Sequence, residues 1–308
     1  MKIIPKTFTD ALFVGILLGV PLFSLTIQSV RSVFTLTKTT SAVPIKIVKE
    51  NPFDKVQITA KSAYVWDIKN QKVLFSHNAS TTLPLASLTK IMTALVATEQ
   101  APTNTEFAFQ QDSLKEEGDS GLLVGEWWKL KDILDFTLVM SSNDGARAIA
   151  SAIEALKPEQ GSFVDQMNTR AQELQLTTMS FYNPTGLDVN PVQAGGYGSA
   201  ADVARLYEYV LKNHPDIFEQ TTKPAISVTS DTIEHTAINT NTQASRTPSL
   251  IASKTGSSDL AGGNLAVALD MGIQHPIVIV VLGSTPTDRL TDVDTLSNAI
   301  REYLALEK

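Results

Sequence analysis

Apolar and polar positions change their pattern several times along this chain, and each pattern predicts a different element. Residues 62–67 and 72–76 are short runs of strand-forming residues joined by a polar stretch, which predicts a β-hairpin. Over residues 87–99 the apolar positions follow helical spacing. This pattern stops before Pro102, because a proline disfavours helical backbone in the residue that precedes it. A helix is therefore expected soon after the hairpin.

The middle of the chain is mostly helical, and its end returns to strands. Strand pairs at both ends thus flank a helical middle, so we predict one sheet assembled from both ends of the domain, with a mostly helical subdomain inserted between them. Helices are predicted at about 129–140, 144–156, 162–175, 200–213 and 288–306, and strands at 249–255, 264–271 and 276–282.

The N-terminal part has a different character. Residues 11–30 carry no charge and two lysines precede them, which predicts a membrane segment with a cytoplasmic N terminus and an exported remainder. The residues that follow are a poor match to a small-x-small cleavage site, so an uncleaved anchor is favoured over a cleaved signal peptide. We divide the chain into an anchor or signal segment (1–30), a linker (31–55) and one domain (56–308).

Composition narrows the classes of function. The 308 residues have a formal net charge of −7, which argues against a nucleic-acid-binding protein, since such proteins need a basic face. The chain has no cysteine, which excludes thiolate metal sites and cysteine nucleophiles. Its four histidines stand far apart and form no metal-binding motif. No metal or cofactor is predicted.

The first candidate chemical motif is Ser87-x-x-Lys90. Residues three apart on a helix lie on one face, with Cβ atoms about 5–6 Å apart, which suits a hydroxyl that needs a base. A lysine can be that base if burial or a second cation lowers its pKa. A single S-x-x-K is weak evidence, since most such pairs are ordinary surface residues.

Two further motifs follow in order. Ser141-x-Asn143 lies between two predicted helices, where Ser141 or Ser142 could instead simply cap the second helix. A Lys-Thr-Gly motif, residues 254–256, stands at the end of a predicted strand, where it could merely lead into a turn. The order S-x-x-K, S-x-N, K-T-G is that of the serine enzymes that recognise β-lactams. The ordered set is strong evidence although each part is weak.

The stretch 85–95 resembles the active-site helix of the low-molecular-mass penicillin-binding proteins, the D-alanyl-D-alanine carboxypeptidases of peptidase family S11. Residues 183–188 (N-P-T-G-L-D), 199–202 and 239–241 are similar to further segments of that family. The resemblance covers residues 56–306. It implies an α/β (α+β) fold of the β-lactamase/transpeptidase type, with an antiparallel sheet, flanking helices and an inserted helical subdomain.

The resemblance also implies catalytic roles for the matching residues. Ser87 is expected to attack the carbonyl of the D-Ala-D-Ala bond and to become acylated, while Lys90 takes its proton. Ser141 is expected to relay that proton to the leaving amine. Asn143 is expected to hold the substrate backbone and to orient Lys90.

Four residues at and just after the last motif are expected to bind the substrate. Lys254 supplies positive potential, and Thr255 binds the terminal carboxylate. Gly256 leaves room for the peptide along the strand. The backbone N–H of Ser257, together with that of Ser87, is expected to form the oxyanion hole.

The expected substrates are peptidoglycan stem peptides that end in D-Ala-D-Ala, with β-lactams as covalent inhibitors, at the extracytoplasmic face of a bacterial membrane. A D-Ala-meso-diaminopimelate endopeptidase with the same machinery stays open as an alternative. Related endopeptidases share two features of this chain, the short stretch after K-T-G and the N-terminal apolar segment. A class A β-lactamase is disfavoured because no loop places a deacylating glutamate. A membrane-tethered β-lactam sensor and an inactive scaffold are the remaining alternatives.

Two departures from the family pattern are visible in the sequence. Gly145 stands where relatives often have alanine, which is expected to reduce helix stability without touching the chemistry. Ser257 stands where relatives frequently have histidine, which is expected to alter pH dependence or substrate preference.

Overall fold

The computed structural model describes residues 50–307. The predicted membrane segment and most of the predicted linker lie outside these residues. Among the residues described, none of the helices has both the length and the apolar character that crossing a membrane requires. The helices are α1 (Lys90–Gln100), α2 (Leu130–Met140), α3 (Asn143–Leu156), α4 (Phe163–Glu173), α5 (Ala200–Asn213) and α6 (Asp288–Leu306).

Within residues 50–307 the strands form one large sheet and three small ones. In chain order they are β1 (Ser62–Asp67), β2 (Lys72–His77), β3 (Leu83–Pro84), β4 (Glu106–Ala108), β5 (Trp127–Lys129), β6 (Ser180–Phe181), β7 (Gly196–Gly198), β8 (Ala225–Thr229), β9 (Glu234–Ile238), β10 (Leu250–Ser258), β11 (Gly262–Asp270) and β12 (Pro276–Ser284).

The large sheet joins the two ends of the domain, as the sequence predicts. Its strand order is β10-β11-β12-β1-β2, and every neighbouring pair is antiparallel. The N-terminal hairpin therefore docks on the C-terminal strands, with Ser62 opposite Leu282 and Asp67 opposite Ile277. The helical segment lies between these strands in sequence, so the predicted insertion of a helical subdomain is confirmed.

Strand β12 explains why the sheet is covered on both faces. Alternate residues of a strand point to opposite faces, and here both sets are apolar and buried. One set, which includes Val278 and Val280, belongs to the core shared with the helical region. The other set, which includes Ile279, packs with Leu296 and Ile300 of α6. The sheet is thus the middle layer of the domain.

The three small sheets are absent from the sequence prediction. Strands β3, β4, β5, β6 and β7 have only two or three residues each, too few for an alternating pattern to be recognised. The β8–β9 hairpin does alternate between buried and exposed positions. Its signal in the sequence is weak because each strand has only five residues and its buried side chains are mostly small or polar.

The start of the first helix differs from the prediction. The sequence pattern places helix from Ser87 onward, whereas α1 begins at Lys90 and a short 3-10 helix spans Ala86–Thr89. Ala86 has a φ of 46°, a left-handed conformation that an α-helix does not accept. Ser87 therefore stands in a tight turn and not in the first turn of an α-helix.

The described end of the predicted linker contains a residue that packs with the domain. Phe53 lies in a short 3-10 helix, Pro52–Lys55, and its ring is buried. It contacts the rings of Phe75 and Tyr303, with centroids 5.9 Å and 5.8 Å away. Ordered packing thus begins before Val56, where the sequence pattern first changes.

Candidate active site

The turn that carries Ser87 is held by contacts from distant parts of the chain. Asn264 of β11, fully buried, donates through Nδ2 to the carbonyls of Pro84 and Leu85, at 3.0 Å each. The N–H of Leu88 donates to the same Leu85 carbonyl at 3.2 Å. These bonds stabilise a turn whose positive φ is otherwise unfavourable. Ser87 itself remains partly exposed.

The Lys90 amine lies beside the hydroxyl of Ser87. Its Nζ is 3.0 Å from Ser87 Oγ and donates to Asn143 Oδ1 and to the Thr185 carbonyl, both at 2.7 Å. The side chain is completely buried. Burial disfavours the charged amine and lowers the pKa of Lys90 to about 7. The arrangement therefore joins a serine to an amine that can lose its proton near neutral pH.

In the S-x-N segment, one serine caps a helix and the other faces the K-T-G strand. Ser141 ends α2 in a left-handed conformation, with φ 65° and ψ 32°. Ser142 then caps α3, because its Oγ accepts the Gly145 N–H at 2.9 Å. The capping role that the sequence left open between the two serines falls to Ser142. Ser141 is thereby left to face the K-T-G strand.

Asn143 links Lys90 to the loop that follows strand β4. Its Oδ1 accepts from the Lys90 amine, while its Nδ2 donates to the Glu117 carbonyl at 2.6 Å. Next to it, Ser120 contacts the cap of α3, with its Oγ 2.7 Å from Ser142 Oγ. Both the oxygen and the nitrogen of the side-chain amide of Asn143, the first residue of α3, are thus hydrogen-bonded.

Gly145 has a packing reason that the sequence does not reveal. A Cβ at this position would collide with the Oγ1 of Thr137, because α2 and α3 approach closely at the start of α3. The alanine that relatives often carry would therefore not fit here without movement. The departure at this position is a consequence of helix packing.

Lys254 brings a second buried amine to the same place. Its Nζ donates to Ser141 Oγ at 2.8 Å and to the Thr255 carbonyl at 2.9 Å. Burial, followed by the nearby charges of Lys90 and Arg289, lowers the pKa of Lys254 well below its usual value. Two neighbouring cations are unfavourable in such a site, so the pair disfavours double protonation.

The next three residues of β10 pass close to the Ser87 turn. The Oγ1 of Thr255 lies 2.6 Å from that of Thr240. A Cβ at Gly256 would stand 2.7 Å from the Leu85 carbonyl oxygen, so the strand can approach the turn only with glycine here. This is a structural reason for the glycine, while room for a substrate peptide stays a prediction. Ser257, the next residue, is exposed.

Sequence reasoning misses several groups that hold this arrangement. The Thr185 carbonyl accepts from Lys90, although the segment containing it is recognised in the sequence only as a similarity. Arg289 of α6 donates through Nη1 to the Gly256 carbonyl at 2.8 Å. Asn264 and Thr240 also have no role assigned from sequence. Backbone acceptors carry no residue-type signal, and nothing near Arg289 in sequence marks it.

The eight residues singled out from sequence therefore meet at one place, where the Ser87 turn, the start of α3 and strand β10 converge. Ser87, Lys90 and Asn143 share one set of hydrogen bonds, and Ser141 and Lys254 share another. Among residues 50–307, no group of three or more histidine, aspartate or glutamate side chains is placed to hold a metal ion.

Relatives support a shared ancestry over most of the domain. The chain is 31% identical over 245 residues to the D-alanyl-D-alanine carboxypeptidase DacF of Bacillus subtilis, covering 76% of this chain and 60% of that protein. It is 27% identical over 238 residues to DacB2 of Mycobacterium tuberculosis, covering 75% of this chain and 79% of that one. A D-alanyl-D-alanine endopeptidase of Pseudomonas aeruginosa is 28% identical over 232 residues, with 73% and 72% covered.

Solved structures share the fold, and a family model identifies the chain. The Streptomyces K15 DD-transpeptidase matches with a TM-score of 0.70 and 25% identity, over 79% of this chain and 97% of that one. Cefotaxime-bound penicillin-binding protein D2 of Listeria monocytogenes gives 0.68 and 24%, over 79% and 98%. The model of peptidase family S11, described as D-alanyl-D-alanine carboxypeptidase, matches residues 46–286, and the protein belongs to that family.

Proposed function

We propose that this protein is a serine-type D-alanyl-D-alanine carboxypeptidase that trims peptidoglycan stem peptides through an acyl-enzyme on Ser87. The observation that carries the proposal is the Lys90 amine, buried and 3.0 Å from the Ser87 hydroxyl. Family membership and relatives named as D-alanyl-D-alanine carboxypeptidases support the same substrate class.

The first chemical step uses Lys90 as a base. With its pKa lowered to about 7, Lys90 is partly uncharged at neutral pH and can accept the Ser87 proton. The Ser87 oxygen then bonds to the carbonyl carbon of the penultimate D-Ala. Charge that develops on the carbonyl oxygen would be stabilised by the backbone N–H groups of Ser87 and Ser257.

The second step expels the terminal D-Ala. Its nitrogen needs a proton as the peptide bond breaks, and Ser141 is the hydroxyl proposed to deliver it. Ser141 regains its proton from Lys90, which passes on the proton taken from Ser87 and becomes uncharged again, while the Lys254 amine, 2.8 Å from Ser141 Oγ, holds that hydroxyl in place. Water then attacks the ester, using Lys90 again as base. This step regenerates the Ser87 hydroxyl and releases a peptide one residue shorter.

Substrate binding is proposed to determine which of the two buried amines, Lys90 or Lys254, carries a proton. In the free protein, burial disfavours charge on Lys254 and lowers its pKa. The entry of a carboxylate beside Lys254 favours its protonated form, since opposite charges stabilise each other when buried. A protonated Lys254 then keeps its neighbour Lys90 neutral. A substrate with a free C-terminal carboxylate would thus prepare its own general base.

Covalent labelling with a fluorescent penicillin tests the nucleophile. We expect the wild-type domain to form a stable adduct and Ser87→Ala to form none. Ser227→Ala, an exposed serine on β8, serves as the matched control and should label normally. Absence of labelling in the folded wild-type domain would contradict the assignment of Ser87, and turnover of a D-Ala-D-Ala peptide would separate an enzyme from a sensor or scaffold.

The endopeptidase alternative differs only in the bond that enters the cleft. It is supported by the relative from Pseudomonas aeruginosa, which is named a D-alanyl-D-alanine endopeptidase. Incubation with cross-linked and uncross-linked muropeptides, followed by mass spectrometry, distinguishes the two. Loss of one terminal alanine from uncross-linked peptides supports the carboxypeptidase, whereas conversion of dimers to monomers supports the endopeptidase.

We further propose that the domain acts at the extracytoplasmic face of a bacterial membrane, tethered by its N-terminal segment. The support is the uncharged run at 11–30 with its preceding lysines. After cell fractionation, the full chain should sediment with membranes and require detergent for release, and deletion of residues 1–30 should prevent export. A soluble exported protein of lower mass would instead indicate a cleaved signal peptide.

A further inference from the structure

Thr240 lies in contact with the Thr255 hydroxyl. The two Oγ1 atoms are 2.6 Å apart, a short distance typical of an O–H···O hydrogen bond. Among the described residues, neither hydroxyl has another hydrogen-bond partner. Thr255 is almost fully buried, whereas Thr240 is half-buried. The pair therefore forms an isolated two-hydroxyl unit at the K-T-G strand.

The backbone on both sides of Thr240 is fixed. Asn239 donates through Nδ2 to the carbonyls of Thr221 and Lys223, at 2.8 Å each. Asn241 donates through Nδ2 to Ser253 Oγ, also at 2.8 Å. Both asparagines are buried. The backbone of Thr240 is thus held between two residues whose side chains are hydrogen-bonded, which restricts the position of its hydroxyl.

A second contact ties Thr240 to the S-x-N segment. Its backbone N–H donates to the Val139 carbonyl at 3.2 Å, in the last turn of α2 before Ser141. Thr240 therefore connects the helix that ends at Ser141 with the strand that carries Lys254. A residue in this position can align the two walls that would hold the end of a substrate.

The Thr240–Thr255 pair has two hydroxyl protons, and the single hydrogen bond between the two hydroxyls uses one of them. One proton is left for an outside acceptor, and its direction is set by which hydroxyl donates inside the pair. If Thr240 donates to Thr255, the Thr255 proton is directed to the ligand. An anion that accepts this proton strengthens both bonds, because chains of hydrogen bonds polarise one another.

We infer that Thr240 is a positioning residue for recognition of the substrate carboxylate. Its hydroxyl donates to Thr255, so that the Thr255 hydroxyl presents its proton to the C-terminal carboxylate of the peptide. This inference rests on the proposed function and deepens it. It predicts that Thr240 matters for substrates with a terminal anion and not for neutral ones.

Two variants and two substrates test the inference. Thr240→Val removes the hydroxyl at nearly constant volume, and Thr240→Ser keeps it. The substrates are an acetylated Lys-D-Ala-D-Ala tripeptide and its C-terminal amide. For Thr240→Val we expect kcat/KM on the acid to fall about tenfold, through KM, with the rate on the amide unchanged. Thr240→Ser should restore the wild-type preference for the acid.

Thr221→Val provides a matched control. Thr221 Oγ1 accepts from the N–H of Ser253 on the same strand but makes no hydrogen bond with Thr255. This variant should lose stability while keeping the wild-type ratio of acid to amide rates. An equal loss on acid and amide in Thr240→Val, or no loss on either, would overturn the inference.

A second readout separates this inference from the proposed function. Acylation rates are measured with a β-lactam that bears a free carboxylate and with its methyl ester. Thr240→Val should slow the acid and leave the ester unchanged, whether or not the enzyme hydrolyses peptides. Failure of the wild-type protein to cleave either peptide refutes the carboxypeptidase proposal alone, provided that acylation occurs. Equal effects on acid and ester would refute the role of Thr240.

Discussion

The chemistry of Lys90 is set by its surroundings. An exposed lysine stays charged in the physiological range, but burial of this amine lowers its pKa to about 7. Its three hydrogen-bond partners are a serine hydroxyl, an amide oxygen and a backbone carbonyl, and none of these is anionic. Desolvation therefore outweighs the charge of Glu116, which acts to raise the pKa, and the amine is suited to accept a proton.

This environment predicts the pH dependence of acylation. The base is the uncharged amine, which is lost as pH falls through the pKa of Lys90. The rate of penicillin acylation should therefore decline about tenfold per pH unit below about 7 and level off above it. Stopped-flow labelling from about pH 5 to 9 measures this, with circular dichroism to verify folding. A constant rate across the acidic half of this range would contradict Lys90 as the base.

At the level of residues, the sequence identifies the candidate side chains of the site better than the groups that hold the site together. The ordered motifs select Ser87, Lys90 and Lys254 as candidates because of their residue types, and the fold brings these candidates to one site. The Thr185 carbonyl is not predictable, since every residue has one. Arg289 is not predictable either, because only the folded chain brings α6 to the Gly256 carbonyl.

The short connection between α2 and α3 contains two serines that make different contacts. Ser141 occupies the left-handed position that ends α2, and Ser142 caps α3. One serine therefore serves helix stability, while its neighbour faces the Lys254 amine. The sequence leaves the capping role open between the two serines, and the structure assigns the cap to Ser142 and places the Ser141 hydroxyl 2.8 Å from the Lys254 amine.

Substitution of each serine should separate these functions. Ser142→Ala removes the cap and should lower the free energy of unfolding by about 1 kcal/mol. Ser141→Gly removes the hydroxyl but accepts the left-handed backbone, so stability should be nearly kept. Its turnover should fall by about 10²–10⁴-fold, as expected for loss of a proton-transfer group. Urea unfolding and peptide hydrolysis measure the two effects.

The opposite pattern would refute this division of roles. If Ser141→Gly turned over substrate normally, the hydroxyl would have no part in proton transfer. If Ser142→Ala left stability unchanged, the bond from the Gly145 N–H would contribute nothing measurable to α3.

Elements with strong periodicity are predicted closely, and short ones are not. The predicted helices and the last three strands lie within a few residues of their observed bounds, because each buries a continuous apolar face. Strands of two or three residues, such as β3 and β6, have no such pattern. Their positions depend on pairing with β7, which is established only after folding.

At the scale of the whole molecule, α6 completes the domain by covering one face of the large sheet. Leu296 is fully buried between this helix and the sheet. Leu296→Ala should therefore lower the free energy of unfolding by about 2–5 kcal/mol, from lost burial and the cavity left behind. Ile273→Ala, 92% exposed in the β11–β12 turn, is the control and should stay within about 0.5 kcal/mol.

Thermal or urea unfolding of both variants checks this prediction. A loss below about 1 kcal/mol for Leu296→Ala would indicate that α6 contributes little to the sheet. In that case the C-terminal helix would be an appendage to a core formed without it.

The strand order also determines when the site can form as the chain is synthesised and folds. The Ser87 turn is synthesised early, whereas the strand with Lys254 and Gly256 and the strand that pairs with β1 come near the end. Such distant pairings form late, since the intervening chain must first be closed into a loop. An unfinished or C-terminally cut molecule would then expose its serine without any reactivity. Covalent labelling by penicillin would count only completed molecules, and so would report on assembly as well as on catalysis.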